Sequence, residues 1–351
     1  MLRKNVLKLM VSALLVTSCT GLTVSASSVP QTPSSTASNT VTQGVREKKY
    51  KNFISEDAES ITIRDKRDKE VTLKKKPKRV VCAFNSYLDL WYEAGGSVIA
   101  KVTESEDKLV PESDGAETIG SATTLSLEKV LSLEPDLVIL SPSLKAHQEM
   151  ADQLEEAGVS VLLVDSKKFE DYLFFADVCL TLNEREDLYK PLIEDVVKEK
   201  EDIISKIPMD RKPKIAVFYA SQKDVKLRTS MDGTGEMLKD LNTENIADVI
   251  EDKNIVPFSM EKVIEEDPDF IFVQLTGSDK KAIEETLKKE TEEKEEFASL
   301  KAVKNGNYIL LPKDLYLYKP NSRYPEAYRG LAGILYPDLF PMTIEPVTFN
   351  E

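Results

Sequence analysis

Histidine occurs once in this chain of 351 residues, tryptophan once and cysteine three times. That scarcity argues against a zinc finger or an iron–sulfur cluster, since both need several Cys or His ligands at short spacings. Neither a G-x-S-x-G elbow nor an H-E-x-x-H helix is present, which removes those hydrolase and metalloprotease classes. Positive charge is also in deficit. The chain carries 47 Lys and Arg against 61 Asp and Glu, a formal net charge of −14. No nucleic-acid partner is expected, because phosphate binding relies on clustered cations. Carboxylates are so abundant that no glycosidase pair stands out among them. The apolar run from Val6 to Val16 is too short to cross a bilayer.

What is present begins with that run. Arg3, Lys4 and Lys8 give residues 1–18 the basic and then apolar character of a processed export segment. It ends in Val16-Thr17-Ser18-Cys19, which resembles the lipobox of bacterial lipoproteins, with Cys19 as the lipidated residue. The plainer alternative is a secretory peptide cut after a small residue. Thr20 to Gln43 is rich in Ser, Thr and Pro and carries no charge, so residues 19–50 read as a lipidated cysteine on a disordered tether. Such a tether reaches about 25–30 Å. A lipid anchor on the outer face of the cytoplasmic membrane is the expected location. Cys82 and Cys179 remain. Export permits a disulfide between them, but their apolar surroundings favour two buried free thiols.

The body is organised around one internal duplication. LSLEKVLSLEPDLVIL, Leu125 to Leu140, returns as FSMEKVIEEDPDFIFV, Phe258 to Val273, with Ser, Glu, Lys, Val, Pro and Asp kept at matched positions. Each copy predicts an N-cap (Ser126, Ser259), a short helix, a proline stop (Pro135, Pro268) and a buried strand. PKRVVCAF, Pro77 to Phe84, is echoed by PKIAVFYA, Pro213 to Ala220. The duplication predicts two similar α/β lobes, at 51–182 and 209–351, with a charged connecting helix over 183–208 that Pro191 should kink or start. Before them, Ile61 to Leu73 alternates like a hairpin turning at Asp65 to Asp68.

The lipobox, the hairpin before PKRVV, the paired SLEKV…PDLVI and SMEKV…PDFIF units, and the central and closing helices together resemble one family. These are the substrate-binding lipoproteins of ABC importers for iron–siderophores, haem and cobalamin. The resemblance implies two Rossmann-like α/β lobes joined by one long rigid helix, with the ligand in the cleft between them. It also implies a small closing motion, a monomer, and a membrane permease as partner. No cofactor is expected beyond the bound ligand, a ferric siderophore or haem, with cobalamin as the alternative. A two-lobed chelatase-like or nitrogenase-like enzyme would share the architecture, and an anchored scavenger without a permease is a third reading.

In open α/β sheets, ligands sit beyond the carboxyl ends of the strands. That places Asn85, Tyr87, Ser121 and Ser141 on one wall of the cleft. Arg228 and Met231, around the D-G-T-G turn, and Tyr316, Tyr318 and Arg323 make up the other. Phenol groups suit ferric iron or a macrocycle face, and the guanidinium of Arg323 suits an acidic periphery. Tyrosines packing a lobe surface are the competing reading, and for Lys226 and Arg228 it is solvated loop charge. The D-G-T-G turn either opens a helix toward an anion or is a plain helix entry. His147 is either an iron ligand or a solvent-facing helix residue. Glu128 and Glu261 sit at matched first-turn positions, where acidic residues suit the helix dipole. The resemblance gives them a second role, one permease contact per lobe.

Overall fold

The computed structural model describes residues 50–231, 233–248 and 253–344; the leader, Cys19 and most of the tether lie outside them. Period-two alternation builds the first layer. Strands β1 (Phe53–Glu56), β2 (Ser60–Arg64) and β3 (Glu70–Lys74) form an antiparallel sheet in that order. Ile61 pairs with Leu73 and Ile63 with Val71, all on the buried face. The hairpin is as expected, and β1 is an added strand that its mixed pattern concealed. Arg67 in the turn bonds Asp65 and reaches Asp152 and Glu155 of a lobe 1 helix, which fastens the hairpin to that lobe.

Lobe 1 contains β4 (Val80–Cys82), α1 (Asn85–Glu93), β5 (Ala100–Lys101), β6 (Glu117–Thr118), and the ribbon β7 (Gly120–Ser121) with β8 (Thr124–Leu125). Then come α2 (Leu127–Ser132), β9 (Leu137–Leu140), α3 (Lys145–Glu156), β10 (Ser160–Leu163) and α4 (Phe169–Asn183). Its sheet runs β10-β9-β4-β5-β6, all parallel. β4 and β9 are buried along their whole length, as parallel strands covered on both faces require. Cys82 and Cys179 are free and buried, and burial pushes the Cys82 thiol up to about 12.

The connection starts later than the charge pattern suggests. Glu184, at φ 52°, ends α4 in a left-handed cap. A 3-10 turn covers Glu186–Leu188, and Lys190–Glu194 is a π-helical turn carrying Pro191, which leads into α5 (Asp195–Ile204). Proline has no N–H to donate, so it fits the start of a helical segment and not its middle.

Lobe 2 contains β11 (Lys214–Ala220), β12 (Val225–Arg228), α6 (Gly233–Asp240), β13 (Glu244–Asn245), β14 (Ile255–Pro257), α7 (Met260–Glu266) and β15 (Phe270–Leu275). Next are α8 (Lys280–Glu290), α9 (Lys301–Lys304), β16 (Tyr308–Leu310), α10 (Lys313–Tyr316) and α11 (Tyr324–Leu335). The sheet order is β14-β12-β11-β15-β16, with β13 also on β11. Lys226 and Arg228, read from sequence as loop charges, are therefore strand residues. Val225 and Leu227 alternate inward between them, over a stretch too short to show a period.

The duplicated units explain themselves in three dimensions. The Ser126 and Ser259 hydroxyls accept the N–H of Lys129 and Lys262, at 3.2 and 3.3 Å. Glu134 (φ 45°) and Asp267 (φ 40°) end the helices in the left-handed region just before the prolines. Asp136 then accepts the N–H of Lys78 and Arg79, and Asp269 that of Lys214. Each copy thus ties its strand to the strand that opens the lobe. One buried cluster runs from Tyr172 and Phe175 of α4 through Val196 of α5 to Tyr324 and Tyr328 of α11. Both lobes and the connecting helix share it.

Candidate functional site

The carboxyl ends of the two sheets face a seam that is bridged on both sides. On one side, α6 abuts the start of α4. The Gly233 N–H donates to the Lys167 carbonyl at 2.9 Å, and the Phe169 N–H donates to the Glu236 carboxylate at 2.9 Å. Lys200 of α5 lies 4.4 Å above the Phe169 ring. The Gly233 amide of the D-G-T-G turn is therefore engaged with protein. Gly235 is needed for packing, since a Cβ there would sit 1.9 Å from the Thr229 carbonyl oxygen.

On the other side, the loop after β5 meets the Lys313–Ser322 segment. Tyr318 donates to the Ser105 hydroxyl at 2.7 Å, Lys313 pairs with Asp107, and Lys108 donates to the Lys319 carbonyl. Asn85 shapes this loop from lobe 1. Its side chain accepts the Ser105 N–H at 2.8 Å and donates to the Lys108 carbonyl at 3.1 Å. Lys101, almost buried, bonds Glu104 and Ser113 and fixes the loop's base.

Between the bridges, lobe 2 offers one well-positioned cation. Arg228 donates from Nε to Gln274 Oε1 at 2.8 Å, and its guanidinium lies 4.8 Å over the Tyr219 ring. A hollow of about 320 Å³ lined by Tyr219, Ser221, Lys226 and Pro257 adjoins it. A Cβ on Gly233 would come 3.7 Å from Arg228, and Gly233 is itself bonded to lobe 1, so Arg228 lies beside the seam. Met231, 37% exposed, is two residues before Gly233. Lys226 is exposed and paired with Asp224.

The other expected residues fall elsewhere. Tyr87 is 1% exposed, donates to the Val164 carbonyl at 2.9 Å and has the Ser141 hydroxyl at 3.3 Å, so it is core and not wall. Ser141 is equally buried. His147 is fully buried; its Nδ1 accepts the Ser141 N–H at 3.0 Å and its Nε2 lies 2.7 Å from the Ala122 carbonyl. Burial lowers its pKa. It is neither a metal ligand nor solvent-facing: it ties a strand end to the ribbon loop. Ser121 is exposed on that ribbon, bonded to Thr123. Tyr316 is buried, donates to the Ala327 carbonyl and carries a phenol raised by desolvation, so it presents no phenolate. Tyr324 packs edge-to-face on Phe169 and at a tilt against Tyr172. Arg323 is paired with Asp314 and Glu326 in a hollow lined by Pro191, Asp195 and Glu199, on the connecting-helix side. The tyrosine cluster thus contributes Tyr318 alone to the seam. Helix phase decided the others, and an irregular loop conceals its phase from sequence.

Glu128 and Glu261 are exposed at equivalent places in α2 and α7. Trp91 is buried in lobe 1, with its indole N–H on the Ser97 carbonyl.

Known proteins share this architecture. The pattern of the family described as periplasmic binding protein matches residues 80–315. An uncharacterised ABC transporter substrate-binding lipoprotein, YvrC, of Bacillus subtilis strain 168 is 27% identical over 286 residues, covering 80% of this chain and 87% of its own. The Fe(3+)-citrate-binding protein YfmC of the same strain is 27% identical over 266 residues, covering 74% and 81%. Among solved structures, Staphylococcus aureus IsdE complexed with heme superposes with a TM-score of 0.65 at 19% identity, covering 74% of this chain and 98% of its own. Staphylococcus aureus SirA complexed with staphyloferrin B gives 0.63 at 18% identity, covering 78% and 98%. With a family pattern spanning most of the folded body and two α/β lobes facing one seam, the chain belongs to the periplasmic binding protein family.

Proposed function

We propose that this chain is the extracytoplasmic solute-binding component of an ABC importer and that it captures a ferric complex of an anionic chelator. Arg228 carries the ligand assignment: a half-buried guanidinium, stacked on Tyr219 and oriented by Gln274, beside the seam. Such a group is suited to carboxylate or catecholate oxygens. Tyr318 and Asn85 line the opposite bridge. The reading agrees with the Fe(3+)-citrate-binding name of one relative. His147 would not ligate a haem iron, because both its nitrogens are engaged by protein. Delivery to a membrane permease through Glu128 and Glu261, and anchoring through Cys19, complete the proposal, with no catalytic step.

Titration of the full chain with ferric citrate, a ferric catecholate siderophore, haemin and cobalamin, followed calorimetrically, tests the ligand class. Binding of one ferric chelate and not of cobalamin is expected. Tight cobalamin binding with no response to any iron complex would overturn the ligand class and leave the importer reading standing.

A further inference from the structure

The second bridge contains two carboxylates, one of them paired with a lysine. Asp89 and Glu93 lie one turn apart on α1 and face the Asn321–Ser322 turn of lobe 2. Asn321 donates to Asp89 at 2.9 Å, and the Ser322 hydroxyl donates to Glu93 at 2.7 Å. Lys108, almost buried, pairs with Asp89 at 2.8 Å. Asn321 holds a left-handed φ of 52°, which asparagine tolerates, and is 1% exposed, so its docked side chain is buried against α1.

Two arginines near Glu93 are engaged elsewhere. Arg323 is paired with Asp314 and Glu326, and Arg185, packed near Gly95, is paired with Asp187. From α4, Tyr172 contributes a phenol kept neutral by burial first and then by Glu93. Lys108 is thus paired with one of two neighbouring carboxylates at a partly buried lobe contact. Burial, and then the Asp89 charge, raise the Glu93 carboxyl to about 7. Its proton stays on well above the ordinary carboxylate range.

We propose that Asp89 and Glu93 of lobe 1 and the Asn321–Ser322 turn of lobe 2 form a proton-sensitive latch across the seam. With a proton on Glu93, the pair carries one negative charge, balanced by Lys108, and the lobes stay docked. When both carboxylates ionise, hydration of the second charge is gained by letting water into the contact, and the turn undocks. The latch makes opening of the seam increase with pH. Its effect on ligand release rests on the solute-binding reading, whereas the latch itself does not.

Hydrogen exchange on the ligand-free full chain tests it, from about pH 5.5 to about 8.5, with intrinsic rates divided out. Protection of the amides of Lys319 and of residues 321–323 should fall several-fold as pH rises toward about 7, where Glu93 ionises even when docked, and should level off above it. Glu93→Gln keeps an acceptor for Ser322 and cannot ionise, so its protection should stay level. Asp89→Asn removes the neighbouring charge and should move the levelling-off point to lower pH. It decides the matter alone if the Gln variant fails to fold. Level protection in the parent chain, an unchanged fall in Glu93→Gln, or an unmoved levelling-off point in Asp89→Asn would each overturn the latch. Failure of every chelate to bind would count against the solute-binding reading and would leave these readouts intact.

Discussion

Gln274 holds Arg228 in position. Its Oε1 accepts Arg228 Nε at 2.8 Å, while its Nε2 donates to Thr234 Oγ1 at 2.9 Å and to the Tyr316 carbonyl at 2.5 Å. Gln274 is 1% exposed, so the amide has no freedom to turn. The guanidinium over Tyr219 is thereby arranged before any ligand arrives, which lowers the ordering cost of binding. Arg228→Ala should weaken a ferric chelate bearing carboxylates by about 1.5–3 kcal/mol, the worth of a charged hydrogen bond. Arg228→Lys should recover little of this, since a lysine cannot reproduce the stacked planar fork. Calorimetric affinities for ferric citrate decide the matter, and equal affinity in all three proteins would remove Arg228 from the site.

Glu128 and Glu261 are predicted to serve the permease and not the ligand. Both are exposed on the first turn of short helices, where reversal to Lys costs a few tenths to about 1 kcal/mol through the helix dipole. The double reversal should leave chelate affinity unchanged and abolish cellular uptake, by replacing a charge-assisted contact with repulsion. Loss of ligand binding in the folded double variant would contradict the docking role.

Cys19 is predicted to carry lipid. Cys19→Ala should release the chain from the cell surface and eliminate fatty-acid labelling. Undiminished membrane retention, together with no label on the parent protein, would refute the assignment.

Asp136 and Asp269 should matter to stability more than exposed aspartates usually do. Asp136 accepts two backbone N–H groups, at 2.6 and 2.9 Å, from the residues that open β4. Asp269 accepts the Lys214 N–H at the equivalent point of lobe 2, while its other oxygen pairs with Lys301. Lys301 and the Lys214 N–H hold the Asp269 carboxyl below its usual range against the opposing effect of burial. Asp136→Ala or Asp269→Ala should each cost about 1–3 kcal/mol in urea unfolding. A carboxylate whose pKa is depressed by folding stabilises above its unfolded value, so the Asp269 contribution should fade as pH drops below about 4. A pH-independent loss for Asp269→Ala would show that packing, and not the carboxylate, is responsible.

Sequence alone determined the α/β class, the two-lobed plan, the hairpin, the N-caps at Ser126 and Ser259, and the burial of Cys82 and Cys179. Each follows from periodicity, capping chemistry or duplication, which are local signals that repeat along the chain. The site was far less legible. Tyr87, Tyr316, Ser141 and His147 have side chains of the right chemistry near strand ends, yet all are buried and bonded within the protein. Arg323 turns toward the connecting helix, and Arg228 acquires its orientation from Gln274, a residue far along the chain on a strand beyond the one next to it in the sheet. Whether a polar side chain faces a cleft or a core depends on the rotation of its element and on partners contributed by distant segments. Neither leaves a periodic trace in the sequence. The paired carboxylates of α1 show the same limit: Asp89 and Glu93 read as ordinary helix charges until the tertiary fold brings Asn321, Ser322 and Lys108 against them.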